Sequence, residues 1–219
     1  MDPIITIIVA CDTNFAIGKD NQLPWKLPSE LKHFRQYTLN KPVVCGKNTF
    51  ISLPFLLQYR PMFVFSSQES TLACMQEKMD AFKEKYGSGN IPFLAMVSDV
   101  KEFLDSFKEL YPNEKEICII GGKQIYDLFY PYADKVILTI VNTVVEGADT
   151  FFDMPDKNYW KREHTHVSNY KTDLDEHSYS IYELRKKKSA QIISLRTGKP
   201  LSKFEIIKLR IDSKNQKVI

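Results

Sequence analysis

The stretch EICIIGGKQIY, Glu116 to Tyr126, sets the class of fold. Glu116–Ile120 is an apolar run of strand length, two glycines break it, and a helical pattern ending near Pro131 follows. A strand that feeds a helix through a tight turn is half of a crossover unit, and crossover units build parallel sheets. The same transition occurs twice more. Pro42–Cys45 reads as a buried strand entering Gly46-Lys47-Asn48-Thr49, and Met62–Phe65 as another entering Ser66-Ser67-Gln68. Ile4–Ala10 is apolar without alternation, as a strand covered on both faces should be. Leu31, Phe34 and Tyr37 fall at helical spacing behind Pro28, whose missing N–H suits a helix start. Thr71–Tyr86, ending at Gly87, has the pattern of a charged surface helix. Phe93–Val97 is a predicted strand, and Ser98 a predicted N-cap for a helix over Asp99–Leu110. Lys135–Val145 is strongly β-branched, and Trp160–Val167 with His177–Leu184 can close the sheet as an antiparallel pair. The chain reads as an α/β domain rather than a bundle or a sandwich.

Composition narrows the function. Of 219 residues, 43% are hydrophobic and 26% charged, which suits a folded core and not a disordered chain. No apolar run reaches the ~18 residues of a membrane span, and MDPIITIIVACD lacks the basic segment and cleavage site of a signal peptide. Cys11, Cys45, Cys74 and Cys118 lie far apart with no CxxC pair, so free thiols in a reducing cytoplasm are expected. The net charge of +3 hides an asymmetry. Residues 185–219 hold eleven Lys or Arg against two Asp or Glu, and the remainder is acidic by six charges. The basic balance belongs to a tail, so no nucleic-acid partner is expected of the body. A domain over 1–186 and a basic extension over 187–219 follow. Ile192–Leu195 and Phe204–Ile211, around Thr197-Gly198-Lys199-Pro200, suggest a hairpin in that extension.

Glu30 is the candidate reactive group. By position it is an ordinary first-turn glutamate facing the positive end of a helix. Its surroundings argue otherwise, because Pro24-Trp25-Lys26-Leu27-Pro28 makes a rigid aromatic approach and Phe34 follows one turn later. A carboxylate on that face would lie in an apolar cleft with its pKa raised, suited to orienting and protonating a substrate. Gly121-Gly122, Gly46 to Thr49 and Ser66 to Gln68 each permit a plain turn reading. Three such junctions at strand ends of one domain favour a dinucleotide. Neither GxGxxG spacing nor a Walker A loop is present. His33, His164, His166 and His177 do not combine at ligand spacing, and no metal is expected.

The segment IGKDNQLPWKLPSELKHFRQYTLNKPVVCGKNTF, Ile17 to Phe50, resembles the dihydrofolate reductase family. The resemblance continues through Ser52-Leu53-Pro54, Arg60, Ser66 to Gln68, Ile119 to Gly122, Tyr126, Thr139, Asp149 to Phe151 and His177 to Tyr179, covering about residues 4 to 185. It implies an eight-stranded, mostly parallel sheet with an antiparallel C-terminal edge and flanking helices. It also implies NADPH-dependent reduction of 7,8-dihydrofolate to 5,6,7,8-tetrahydrofolate, with hydride to C6 and a proton to N5. Glu30 would grip the pterin, Thr139 would join it by hydroxyl and water, and Trp25 would hold an ordered water. Ile8, Val9, Leu31, Phe34, Leu53, Leu57 and Ile120 would line the pterin and benzoyl pocket, and Arg60 would pair with the glutamate carboxylate. Residues Ile17 to Leu23 match a mobile loop. Ala10, Ile17, Gly18 and Leu23 would serve the nicotinamide half of the cofactor. Gly46, Lys47, Asn48, Thr49, Ser66, Ser67, Gln68, Gly121, Gly122, Lys123, Gln124, Ile125 and Tyr126 would hold phosphates and adenosine. Dihydrofolate and antifolates such as methotrexate are the implied ligands, and a monomer is expected.

Two departures stand out. Lys123 occupies a position where the family commonly has a small residue, leaving open a phosphate contact or a solvent-facing ammonium. Gln58-Tyr59 replaces a turn that usually carries glycine before Arg60. The rival readings are a pteridine or pyrimidine reductase of the same fold and a folate- or nucleotide-binding protein without catalysis.

Overall fold

The structure is a computed structural model that describes residues 2–87 and 91–187. The hairpin expected in the basic extension lies outside the described residues. Strand β1 (Ile4–Asp12) is central. It pairs in parallel with β6 (Glu116–Gly121) on one side and β7 (Lys135–Val141) on the other. Beyond β6 lie β3 (Val43–Gly46), β4 (Met62–Phe65) and β5 (Leu94–Val97), all parallel. Beyond β7 lie β10 (Tyr179–Lys186), antiparallel to β7, and β9 (Trp160–Tyr170), antiparallel to β10. The eight-stranded order is β5-β4-β3-β6-β1-β7-β10-β9, and β2 (Ala16–Gly18) with β8 (Thr150–Phe151) forms a separate ribbon.

Helices α1 (Pro28–Thr38), α2 (Lys47–Ser52), α3 (Ser70–Tyr86), α4 (Val100–Leu110) and α5 (Lys123–Phe129) connect these strands. Helix α4 differs from expectation at its start. Asp99, not Ser98, is the cap, because its carboxylate accepts the Glu102 N–H at 2.8 Å. The β-branched run after Lys135 ends as a strand at Val141, where the chain turns through Thr143 to Ala148.

Strand alternation divides the core between the two sheet faces. Ile5, Ile7, Val9 and Cys11 pack with Phe103, Phe107 and Phe129, whereas Ile8 joins Leu27, Phe50, Leu57 and Ile120. At the amino ends of the strands, Glu116 gathers Thr6, Tyr37 and Lys135 on one oxygen and Lys41 on the other. Burial alone would raise this carboxyl. The hydrogen bonds from Lys135, Thr6 and Lys41 outweigh that and bring it down to about 2. The cluster ties the last turn of α1 to the sheet.

At the opposite end, Asp12 is fully buried. Its Oδ1 accepts the N–H groups of Asn14 and Ala16, each at 2.8 Å, and its Oδ2 accepts that of Val145 at 2.8 Å. One carboxylate thus joins the segment leading into Ile17–Leu23 to the turn after β7. Asp12→Ala leaves three backbone donors without this acceptor, and urea unfolding is expected to show a loss of about 2–4 kcal/mol. An unchanged midpoint would mean that the two segments hold together without it.

Candidate active site

Helix α1 begins at Pro28, and its cap position is Leu27, an apolar side chain that offers no acceptor. Glu30 follows in the first turn and is 8% exposed. Its Oε1 accepts the Thr139 hydroxyl at 3.0 Å. Thr139 is available there because the β1–β7 register sets it beside Ala10. Burial raises the Glu30 carboxyl from 4.5 to about 6, against the pull of the Thr139 hydrogen bond.

Thr139 shares its sheet face with Ile137 and Val141, members of one apolar cluster. Trp25, Phe34 and Leu53 pack on the cluster that contains Ile8, Leu57 and Ile120. Leu31 stands 52% exposed at the rim. Val9 needs correction, because its side chain enters the core on the other sheet face and only its backbone can border the cleft. Tyr126 donates its hydroxyl to the Ile8 carbonyl at 2.8 Å, and burial raises its phenol so that it stays neutral.

Arg60 is 4% exposed, and its Nε is buried without a hydrogen-bond partner. Burial and the nearby Arg35 guanidinium both lower its pKa. Arg35 was missed in the sequence, where an exposed arginine one residue past Phe34 carries no signal of its own. Two guanidiniums close together, one of them dry, make a place for a carboxylate.

The three polar junctions lie together at the carboxyl ends of β3, β4 and β6. Gly46 and Gly121 are required by close approach: a Cβ at Gly46 would sit 2.9 Å from Ile125 Cγ1, and one at Gly121 2.9 Å from Tyr126 Oη. Gly121 also has φ +111°, a conformation that other residues rarely adopt. Ile125 and Tyr126 are therefore the floor beneath these glycines. Lys47 Nζ donates to Gln68 Oε1 at 2.5 Å and Ser70 Oγ at 3.0 Å, both neutral oxygens. Ser66 Oγ lies 2.7 Å from Thr71 Oγ1 and accepts the Gln68 N–H, while Ser67 and Gln124 are exposed. Lys123 meets neither expectation, because its ammonium bridges Asp127 at 2.7 Å and Asp153 at 2.9 Å.

The segment Ile17 to Leu23 is held from two sides. Asp149 accepts the Asp20 N–H at 2.8 Å, and Asn48 Nδ2 donates to Asn21 Oδ1 at 3.3 Å. Gly18 lies against Thr150, and Leu23 is 58% exposed. Among the described residues no group of three or more His, Cys, Asp or Glu could hold a metal ion.

The family model described as dihydrofolate reductase matches residues 4–186. The chain belongs to the dihydrofolate reductase family. It is 35% identical to the dihydrofolate reductase of Haemophilus influenzae over 158 residues, which are 72% of this chain and 84% of that protein. It is 32% identical to that of Bacillus subtilis over 158 residues, 80% of that protein. Its fold is similar to that of the Enterococcus faecalis dihydrofolate reductase complexed with NADP(H) and RAB-propyl, with TM-score 0.67 and 22% sequence identity. That match covers 85% of this chain and 98% of the other. The eight-stranded sheet with its antiparallel C-terminal edge is the fold of a dihydrofolate reductase.

The raised Glu30 carboxyl has a consequence for stability. The folded state binds this proton more tightly than the unfolded chain, so the associated stability is full below pH about 4.5 and is lost as pH rises through about 6. Glu30→Gln, which stays neutral, is expected to exceed the wild type by up to about 2 kcal/mol above pH 7 and to match it below pH 4. Denaturant unfolding at the two pH values checks this, and a constant difference would place the Glu30 carboxyl in solvent.

Proposed function

We propose that this chain reduces 7,8-dihydrofolate to 5,6,7,8-tetrahydrofolate, with hydride reaching C6 and a proton reaching N5. The observation that carries the reading is the buried Glu30–Thr139 pair beside the carboxyl end of β1, on an apolar sheet face that would floor a cleft. An ionised carboxylate in such a cleft accepts hydrogen bonds from the amino and ring N–H groups of a pterin, and so fixes the ring and its tautomer. With its carboxyl near 6, Glu30 is mostly ionised at neutral pH yet protonates within reach of it. Water admitted by the segment Ile17 to Leu23 then delivers the proton to N5, with Trp25 and Thr139 as its supports. Arg60, with Arg35 beside it, pairs with the glutamate carboxylate of the substrate.

NADPH supplies the hydride when bound. Ala10, Ile17, Gly18 and Leu23 would border its nicotinamide, and the glycines at 46, 121 and 122 would give its phosphates access to the backbone. The backbone of Lys123 serves there, since its ammonium is engaged by two carboxylates. The 2′-phosphate falls to Lys47, Ser66, Ser67 and Gln68. Among the described residues Lys47 pairs with no carboxylate, which leaves its charge available. Methotrexate binds the same cleft, the protein acts as a monomer, and its four free cysteines accord with a reducing cytoplasm. The domain spans 1–186 and the basic extension follows it.

Consumption of NADPH with dihydrofolate, abolished by methotrexate, is the direct test; absence of both turnover and inhibitor binding would overturn the reading. Glu30→Ala is expected to lower kcat at neutral pH by about 10²-fold or more while NADPH affinity stays nearly constant. Lys47→Ala is expected to raise KM for NADPH about tenfold and leave that for NADH unchanged. Equal effects on the two cofactors would place the 2′-phosphate elsewhere.

A further inference from the structure

We infer that Asp175 is a positioning residue for Glu30: it caps α1 from a distant loop and fixes the turn that carries the cleft carboxylate. The inference rests on the reading of Glu30 as the pterin-binding group. Leu27 provides no side-chain cap, so the first turn of α1 needs an acceptor from elsewhere. Asp175, 146 residues beyond Ser29, is 4% exposed and supplies it. Its Oδ1 accepts the Ser29 N–H at 3.0 Å. Its Oδ2 accepts the Ser29 hydroxyl at 2.6 Å, the Thr172 N–H at 2.8 Å and the Thr172 hydroxyl at 2.6 Å.

The network reaches the sheet. Ser29 Oγ lies 2.6 Å from Tyr179 Oη. A carboxylate can only accept, so Ser29 gives its proton to Asp175 and takes that of Tyr179. Tyr179 is 2% exposed on β10, in register with Val141 of β7, two residues from Thr139. Glu176 adds a second stitch, donating its N–H to the Lys26 carbonyl at 3.1 Å and accepting the Lys26 N–H at 2.8 Å. Residues 26 and 29 are thus both held by the loop at 172–176, and Glu30 is the next residue along. Its backbone is fixed by Asp175 and its side chain by Thr139.

Burial would raise the Asp175 carboxyl, but the hydrogen bonds from Ser29 and Thr172 hold it well below the usual carboxylate range, so it stays charged. The ionisable groups that face Glu30 are Tyr126 of α5 and Tyr179 of β10, both kept neutral by burial. The Thr139 hydroxyl of β7 does not titrate. Removing Asp175 lets water into the loosened turn, and hydration of the carboxylate favours ionised Glu30.

The test reads Glu30 directly. In protein labelled with carbon-13 at glutamate Cδ, the resonance absent from Glu30→Gln identifies this carboxyl. Its midpoint in the wild type is expected near 6. In Asp175→Ala and Asp175→Asn it is expected to fall by about half a unit to one unit, with kcat about tenfold lower and KM for NADPH unchanged. Ser29→Ala, which keeps the backbone donor, should shift it less and in the same direction, and carries the test if Asp175→Ala does not fold. A variant that is folded but less heat-stable, with midpoint and kcat unmoved, overturns the inference. The titration needs no turnover, so a failure of dihydrofolate reduction would be seen separately.

Discussion

Glu30 presents its carboxylate to the Thr139 hydroxyl, buried on the sheet face whose apolar cluster takes in Trp25, Phe34, Leu53 and Leu57. Taking a carboxylate out of water is unfavourable, and one hydroxyl offsets only part of that. The raised carboxyl is the visible result. What the surrounding structure does is prevent the relief that a small movement of α1 toward solvent would bring. At its far end the helix is tied to the sheet by Tyr37 and Lys41 through Glu116. At its near end it is tied by Ser29 through Asp175 and by Lys26 through Glu176.

The same logic governs the segment Ile17–Leu23 and the strand ends beside it. Asp12 binds the approach to Ile17–Leu23 to the turn after β7, and Asp149 and Asn48 hold that segment further along. Gly46 and Gly121 leave room above Ile125 and Tyr126 that a methyl group would fill. Buried carboxylates with well-matched donors organise both halves of the cleft. They differ from Glu30 in having several donors each, where Glu30 has the Thr139 hydroxyl. Asp175 and Glu116 are lowered while Glu30 is raised.

Much of this was legible in the chain. Apolar strands that end in polar turns predicted the parallel sheet, because local hydrophobic runs and turn residues act within a few positions. The prolines around Trp25 and the helical spacing to Phe34 pointed to Glu30 for the same reason. The start of α4 lies one residue beyond its expected place, where Asp99 rather than Ser98 accepts the Glu102 N–H. Lys123 was open in the sequence. Its carboxylate partner Asp127 lies one helical turn away, but Asp153 comes from beyond β8.

By itself the sequence determined the α/β class and the polar strand ends, and it singled out Glu30 as the candidate carboxylate, from short-range pattern and, through the family, from matched motifs. Only the tertiary structure decided which face of β1 meets the cleft, removing Val9 from its lining. It alone brought Arg35 to Arg60, Asp12 to Val145 and Asp175 to Ser29. The last two contacts join residues more than a hundred positions apart. They exist because parallel crossovers carry distant strand ends to one edge of the sheet, and no local pattern encodes which polar groups will meet there.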